Sequence, residues 1–335
     1  MTAIENVIRD VRVSWSRAML VFCCVATAEA QQPELPPVPG RLVDVGGRRM
    51  HLLCTGNGAP TVVLEAGASS FAIDWTLVQG DLARATRVCS YDRAGMGWSD
   101  PSTAGTRAST APDLHTLLTV AGERPPYVMV GASRGGLFIR AYVADYPTEV
   151  VGLVFVDPTT EDRLFTVIDG RDVRIADVTA EELRATNPKE SVAVRRRRPQ
   201  TGAPFDRLPP DLYRVRVALD EKLIASFPDS VTPDVVAAVR ESERGQLARL
   251  DSLRKTSEHP LGELPVVVLS RGANTNADRT AAHAALGRLS TSSYHCVVAG
   301  AGHEIHLLKP SAVVHAVTDI VDVIRNSAPL RRREC

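Results

Sequence analysis

Short apolar runs recur along the chain, separated by longer stretches with helical spacing. This is the pattern of a parallel sheet joined by crossover helices. Residues 41–45 and 50–54 flank Gly46-Gly47, a hairpin signal. Residues 61–64 (TVVL), 87–91 (RVCSY), 126–130 (PYVMV) and 151–156 (VGLVFV) read as buried strands. After a long gap come 265–269 (PVVVL) and 294–298 (YHCVV), and a closing helix is predicted over 311–324. The gap, residues 159–264, carries no strand signal and reads as helical. Thr232-Pro233-Asp234 is a helix start, and Leu247, Leu250 and Leu253 can line one face of the helix that follows. A structureless loop of that length would be improbable in a compact domain, so the segment is predicted to be a helical cap over the strand ends.

Composition changes this picture little. Apolar residues make up 44% and charged residues 23% of 335, ordinary values for a globular protein with a real core. Lys+Arg equals Asp+Glu, so the basic footprint of a nucleic-acid binder is absent. No apolar run is long enough to span a bilayer. Residues 1–30 resemble a signal peptide: three arginines dispersed in the first 17 residues, the apolar run AMLVFCCVATA, and Ala28-Glu29-Ala30 as a small-x-small cleavage site. The competing interpretation is a buried N-terminal helix, or a start codon placed too early. Export to a periplasmic or extracellular compartment is the expectation, with 31–158 and 265–335 forming the core domain. Arg195 to Arg198 is read as a solvated charge run.

The chemistry concentrates at strand ends. Gly131-Ala132-Ser133-Arg134-Gly135 is a G-x-S-x-G that follows an apolar strand and opens a helix, the context a nucleophilic serine requires. Outside that context it would be only a glycine-rich turn. A serine needs a base, and His303 in Ala301-Gly302-His303, just past the last strand, is the best placed histidine. His306 is its rival and is expected to face the cap or solvent. The histidines lack zinc-ligand spacing, and there is no dinucleotide fingerprint or phosphate loop, so no metal and no cofactor are expected.

With these motifs the chain resembles the α/β-hydrolase fold superfamily, in its capped, lipase- and esterase-like serine-hydrolase form, over residues 41–324. Leu64-Glu65-Ala66-Gly67-Ala68 is similar to the oxyanion-loop segment, and the run from Tyr91 to Ser99 (YDRAGMGWS) to the D-R-x-G-x-G-x-S loop. Val156-Asp157-Pro158 after the sixth strand and the final Gly-His complete the set. The resemblance implies an α/β fold with a mostly parallel eight-stranded sheet, helices on both faces and an inserted helical cap. It implies attack by Ser133, proton transfer by His303, and an oxyanion hole of the Ala68 and Arg134 backbone N–H groups. The third member is open between Asp157, at the end of the sixth strand, and Asp278, late after the seventh; Asp157 is favoured. The D-R loop is expected to hold neighbouring loops together, and Trp98 is a candidate pocket-lining residue. Arg134 is read as meeting either an acidic substrate group or a cap carboxylate.

The implied reaction is hydrolysis of a small-molecule carboxylic ester through an acyl-enzyme. A small-substrate amidase or aminopeptidase, a lyase or perhydrolase, and a non-catalytic binding protein are the alternatives. Because the second and fourth strands are neighbours in this fold, a Cys54–Cys89 disulfide is expected. Cys296 is expected to be a buried free thiol, and Cys335 a mobile end.

Overall fold

The computed structural model describes residues 37–101, 111–168, 170–194, 198–332 and 335. The expected signal peptide, residues 1–30, and Arg195 to Arg197 of the charge run lie outside the described residues.

Twelve strands and nine α-helices follow in chain order among the described residues: β1 (Arg41–Asp44), β2 (Arg49–Thr55), β3 (Thr61–Glu65), α1 (Thr76–Leu82), β4 (Val88–Tyr91), α2 (Ala111–Val120), β5 (Tyr127–Ala132), α3 (Gly135–Asp145), β6 (Val150–Val156), β7 (Phe165–Ile168), β8 (Arg171–Arg174), α4 (Ala180–Ala185), β9 (Val192–Ala193), α5 (Pro210–Ala225), β10 (Ser230–Val231), α6 (Pro233–Arg254), β11 (Val266–Arg271), α7 (Ala277–Gly287), β12 (Ser293–Val298), α8 (Ile305–Leu308) and α9 (Pro310–Asn326). Eight strands form one sheet in the order β1-β2-β4-β3-β5-β6-β11-β12. The β1–β2 and β2–β4 pairs are antiparallel and the remainder parallel.

The apolar runs are continuous because both faces of the sheet are covered. Alternate residues of each strand go to opposite sides. Val62, Leu64, Val128, Val130, Val154 and Val156 pack with α1 and α9. Val63, Met129, Leu153 and Phe155 pack with α2, α3 and α7. The parallel strands run in one direction, so the β3, β5, β6, β11 and β12 loops that matter chemically all emerge at one edge.

The segment between β6 and β11 is less helical than its sequence suggests. Besides α4, α5 and α6 it contains a β7–β8 hairpin and a two-residue β9–β10 pair. The hairpin lies at the surface with Phe165 43% and Val167 39% exposed, and β8 has a single apolar residue, so neither strand carries a burial pattern to read. The α6 start behaves as expected: the Thr232 hydroxyl accepts from the Val235 N–H. Leu247 and Leu250 are buried but Leu253 is 37% exposed.

Cys54 and Cys89 are opposite each other across β2 and β4 and form a disulfide. It closes a 35-residue separation. Replacing both cysteines by alanine is therefore expected to cost about 3–4 kcal/mol of stability on the chain-entropy account. A urea midpoint unchanged by the substitutions would show that the bridge stabilises nothing. The expectation for the other two cysteines is corrected: Cys296 is not a free thiol and Cys335 is not loose, because they are joined in a second disulfide. Leu330 packs against the same core cluster as Cys296, which brings the chain end back to the sheet. No described helix is long and apolar enough to cross a membrane.

Candidate active site

Ser133 occupies a tight turn between β5 and α3, with φ at +51°, a left-handed value that costs a non-glycine residue about 1–2 kcal/mol. The flanking glycines make the turn possible by allowing backbones to touch. A Cβ on Gly131 would lie 2.6 Å from the Gly135 carbonyl oxygen, and one on Gly135 would lie 2.6 Å from the Glu65 carbonyl oxygen. The turn is pinned to β6: Ser133 N–H donates to the Val156 carbonyl at 3.0 Å, and the Thr159 N–H donates to the Ser133 carbonyl at 2.8 Å.

His303, in the loop after β12, reaches Ser133 from the side: its Nε2 is 2.9 Å from Ser133 Oγ. Its Nδ1 is 2.5 Å from Asp157 Oδ2. Asp157 is wholly buried at the end of β6, also with a positive φ, +42°. Its Oδ1 accepts the Arg271 N–H at 3.0 Å, and the Arg271 Nε lies 3.0 Å from Oδ2. Burial is the largest single influence on this carboxyl and pushes its pKa up. The hydrogen bonds from His303 and the Arg271 amide, with the charges beside them, outweigh it and hold the carboxyl below the ordinary value. An ionised carboxylate only accepts, so Nδ1 carries the proton and Nε2 presents its lone pair to the serine hydroxyl. Asp278 is not at this site. It sits in the first turn of α7, with its side chain 83% exposed and 4.0 Å from Arg163.

The loop after β3 runs alongside the serine, and a Cβ on Gly67 would lie 3.4 Å from Ser133 Cβ. Among the described residues, neither the Ala68 nor the Arg134 amide donates to another backbone group. Arg93 holds this loop by its carbonyls, donating to Ala66 at 2.7 Å and Gly67 at 2.5 Å, and is itself held by buried Glu65. Burial, stronger than the influence of Arg93 and Tyr91, raises the Glu65 pKa. Asp92 accepts from the Ala72 N–H at 2.8 Å, the Trp98 N–H at 3.2 Å and His51 Nδ1 at 2.7 Å. The D-R loop therefore does tie its neighbours together. Trp98 is buried, its ring 4.9 Å from that of His51. The Arg134 side chain takes the second of its two alternatives, a carboxylate: Glu243 of α6, at 2.5 Å.

Two further histidines matter here: His306, read from the sequence as the rival of His303, and His283, which had no sequence signal beyond its identity. His306 does not face solvent; it is buried with its ring 4.7 Å from that of Trp75. His283, 3.9 Å from Asp157, donates from Nε2 to the Pro158 carbonyl at 2.8 Å and takes the Ser270 hydroxyl on Nδ1 at 2.6 Å. Burial pushes His283 down to about 4 and His306 down to about 3. The unfolded chain protonates both near pH 6.5, so below that pH it binds protons that the native state refuses. Stability present at neutral pH is therefore lost as pH falls from about 6.5 toward 4, by about 2–3 kcal/mol per histidine at pH 4.5. Asp74, pushed up to about 6 chiefly by burial, works in the opposite direction and offsets part of the loss. A melting temperature lower at pH 4.5 than at pH 7, with a smaller difference in His306→Leu, is expected. Equal melting temperatures would refute the account.

A strained serine on a strand-to-helix turn, a histidine from the last strand's loop and a buried aspartate define a site of the α/β-hydrolase class. The sequence pattern of the alpha/beta hydrolase fold matches residues 52–310, and the chain belongs to that family. Among curated relatives, a "Probable transporter efuK" of Hormonema carpetanum is 38% identical over 129 residues, 36% of this chain and 18% of that protein. An "AB hydrolase superfamily protein" of Gibberella zeae is 35% identical over 107 residues, 30% of this chain and 33% of that protein. The chain thus spans a third or less of the length of these two relatives. A solved structure titled a putative lipase, from Acinetobacter baumannii, superposes with a TM-score of 0.57 at 16% identity, covering 86% of this chain and 92% of that one. The family pattern and this solved structure agree on the alpha/beta hydrolase fold.

Proposed function

We propose that this chain is an exported serine hydrolase that cleaves a small-molecule carboxylic ester through an acyl-enzyme intermediate. The observation that carries this reading is the continuous relay from Ser133 Oγ through His303 to Asp157, at 2.9 and 2.5 Å. Ser133 Oγ attacks the ester carbonyl carbon as His303 Nε2 takes the hydroxyl proton. The Ala68 and Arg134 N–H groups receive the oxyanion, where preorganised donors act most strongly. Imidazolium then protonates the leaving alkoxide, and the acyl group remains on Ser133. Water, deprotonated by His303, attacks the acyl-enzyme and releases the acid. Asp157 holds the imidazole in the required tautomer and stabilises its charged form. The segment 159–264 acts as the cap over a core of 31–158 and 265–335, with Glu243 of α6 meeting Arg134 above the serine. The two disulfides support an oxidising compartment.

Purified protein offered p-nitrophenyl esters from acetate to decanoate should turn over at least one. A fluorophosphonate should label the peptide containing Ser133 stoichiometrically, blocking that turnover. A folded protein that neither hydrolyses any ester nor takes the label would remove the serine-hydrolase reading. Labelling without ester turnover would instead move it to amides.

A further inference from the structure

From the inserted segment, α5 sends a cation into the interior. Arg216 is wholly buried, with its Nε 3.1 Å from Asp74 Oδ1, itself wholly buried in the turn that follows the Ala68 loop. Its other nitrogens donate to Gln200, to the carbonyl at 3.0 Å and to Oε1 at 3.1 Å. Its Cζ lies 3.5 Å from the centre of the Phe205 ring and 5.7 Å from that of Phe71. Asp220, one turn on along α5, is 3.9 Å away and accepts the Gln200 N–H at 2.7 Å. A buried ion pair is weak evidence for stability, since desolvation offsets its attraction; its use is to fix one arrangement.

What it fixes is the loop beside Ser133. Asp74 Oδ2 accepts the Phe71 N–H at 3.1 Å, closing the turn from Phe71 to Asp74. Ser70 N–H donates to the Gly67 carbonyl at 3.3 Å, so this turn and the Gly67–Ala68 bend are contiguous. Arg93 grips the loop on its β3 side, and Asp92 grips the Ala72 amide from below. From the side of the segment 159–264, Leu219 and Leu223 of α5 pack in one cluster with Phe71 and Ile73, and the polar grip comes through Asp74, from Arg216. Trp75, the next residue, packs on His306, three residues after His303. One buried cluster thus joins the Ala68 loop, α5 and the histidine loop.

We propose that Arg216 and Asp74 are positioning residues for the reaction. Their ion pair sets the Ala68 N–H at its oxyanion position, so transition-state stabilisation depends on a residue of the inserted segment. This rests on the serine-hydrolase reading. A donor displaced by a fraction of an ångström stops serving the transition state while substrate still binds. The expected signature is a fall in kcat with KM nearly unchanged.

The test compares the parent with Asp74→Asn, Arg216→Met and the double variant. Rates are measured per active site, counted by fluorophosphonate titration. Asp74→Asn keeps the shape and leaves Asp220 as counter-charge to Arg216, so it carries the test if Arg216→Met fails to fold. Each single change is expected to lower kcat per titrated site by about 10–100-fold with KM within about threefold. The double variant should fall no further than the worse single one, as for two residues acting as a unit. Arg216→Lys, which keeps the charge, should recover part of the rate. Asp74→Asn with parental kcat per site would overturn the proposal, as would a loss confined to the number of titratable sites, which is a purely structural role. A parent that neither turns over nor takes the label would instead sink the hydrolase reading.

Discussion

Alanine at Ser133 is expected to lower ester turnover by about 10⁵–10⁶-fold while leaving the fold intact. Ser133 Oγ hydrogen-bonds to His303 Nε2, whereas the bonds that hold its backbone to β6 and to the Thr159 amide do not involve Oγ. Alanine inherits the same left-handed backbone and the same Cβ, so the melting temperature should move little. A variant retaining a tenth of the parental rate would mean that Ser133 is not the nucleophile. Loss of fluorophosphonate labelling should accompany the loss of rate.

Asparagine at Asp157 is expected to lower kcat by about 10³–10⁴-fold, by enforcing the wrong tautomer. The carboxylate accepts on both sides, from the Arg271 N–H at 3.0 Å and from His303 Nδ1 at 2.5 Å. An amide can accept only through its oxygen. Facing that oxygen to the Arg271 N–H turns the NH₂ toward His303 Nδ1, which must then be unprotonated. The ring proton moves to Nε2 and points at the serine hydroxyl, where a lone pair is needed. The opposite flip sets NH₂ against N–H at Arg271. Asp278→Asn, at an exposed side chain, should retain most of the parental rate. Equal losses in the two variants would undo the choice of Asp157.

The contrast between these two aspartates shows where the sequence runs out. Asp157 and Asp278 both follow strands on the sheet edge where the reactive loops gather, and the sequence separates them only by how late each comes after its strand. Distance to His303 decides between them, and that is set by the β5-β6-β11-β12 strand order and by the positive φ that turns Asp157 back toward Arg271. Arg271 itself was invisible as a neighbour of the acid, because its stretch of chain reads only as a place to look for carboxylates. Cys296 likewise gave no sign of its partner, since pairing with Cys335 requires the chain end to return after α9.

By itself the sequence determined the sheet, through apolar runs long enough to be covered on both faces. It also determined the serine turn, through glycines at the two positions where backbones must touch, and the histidine's place after the last strand. These are local signals: each is written within a few residues. Tertiary structure alone decided the contact of His303 with Asp157, the Arg134–Glu243 contact and the Arg216–Asp74 pair. Each of these depends on which side chains meet across long stretches of chain (142 residues for Arg216 and Asp74). A side chain's charge is legible in a sequence, but its partner is settled by packing.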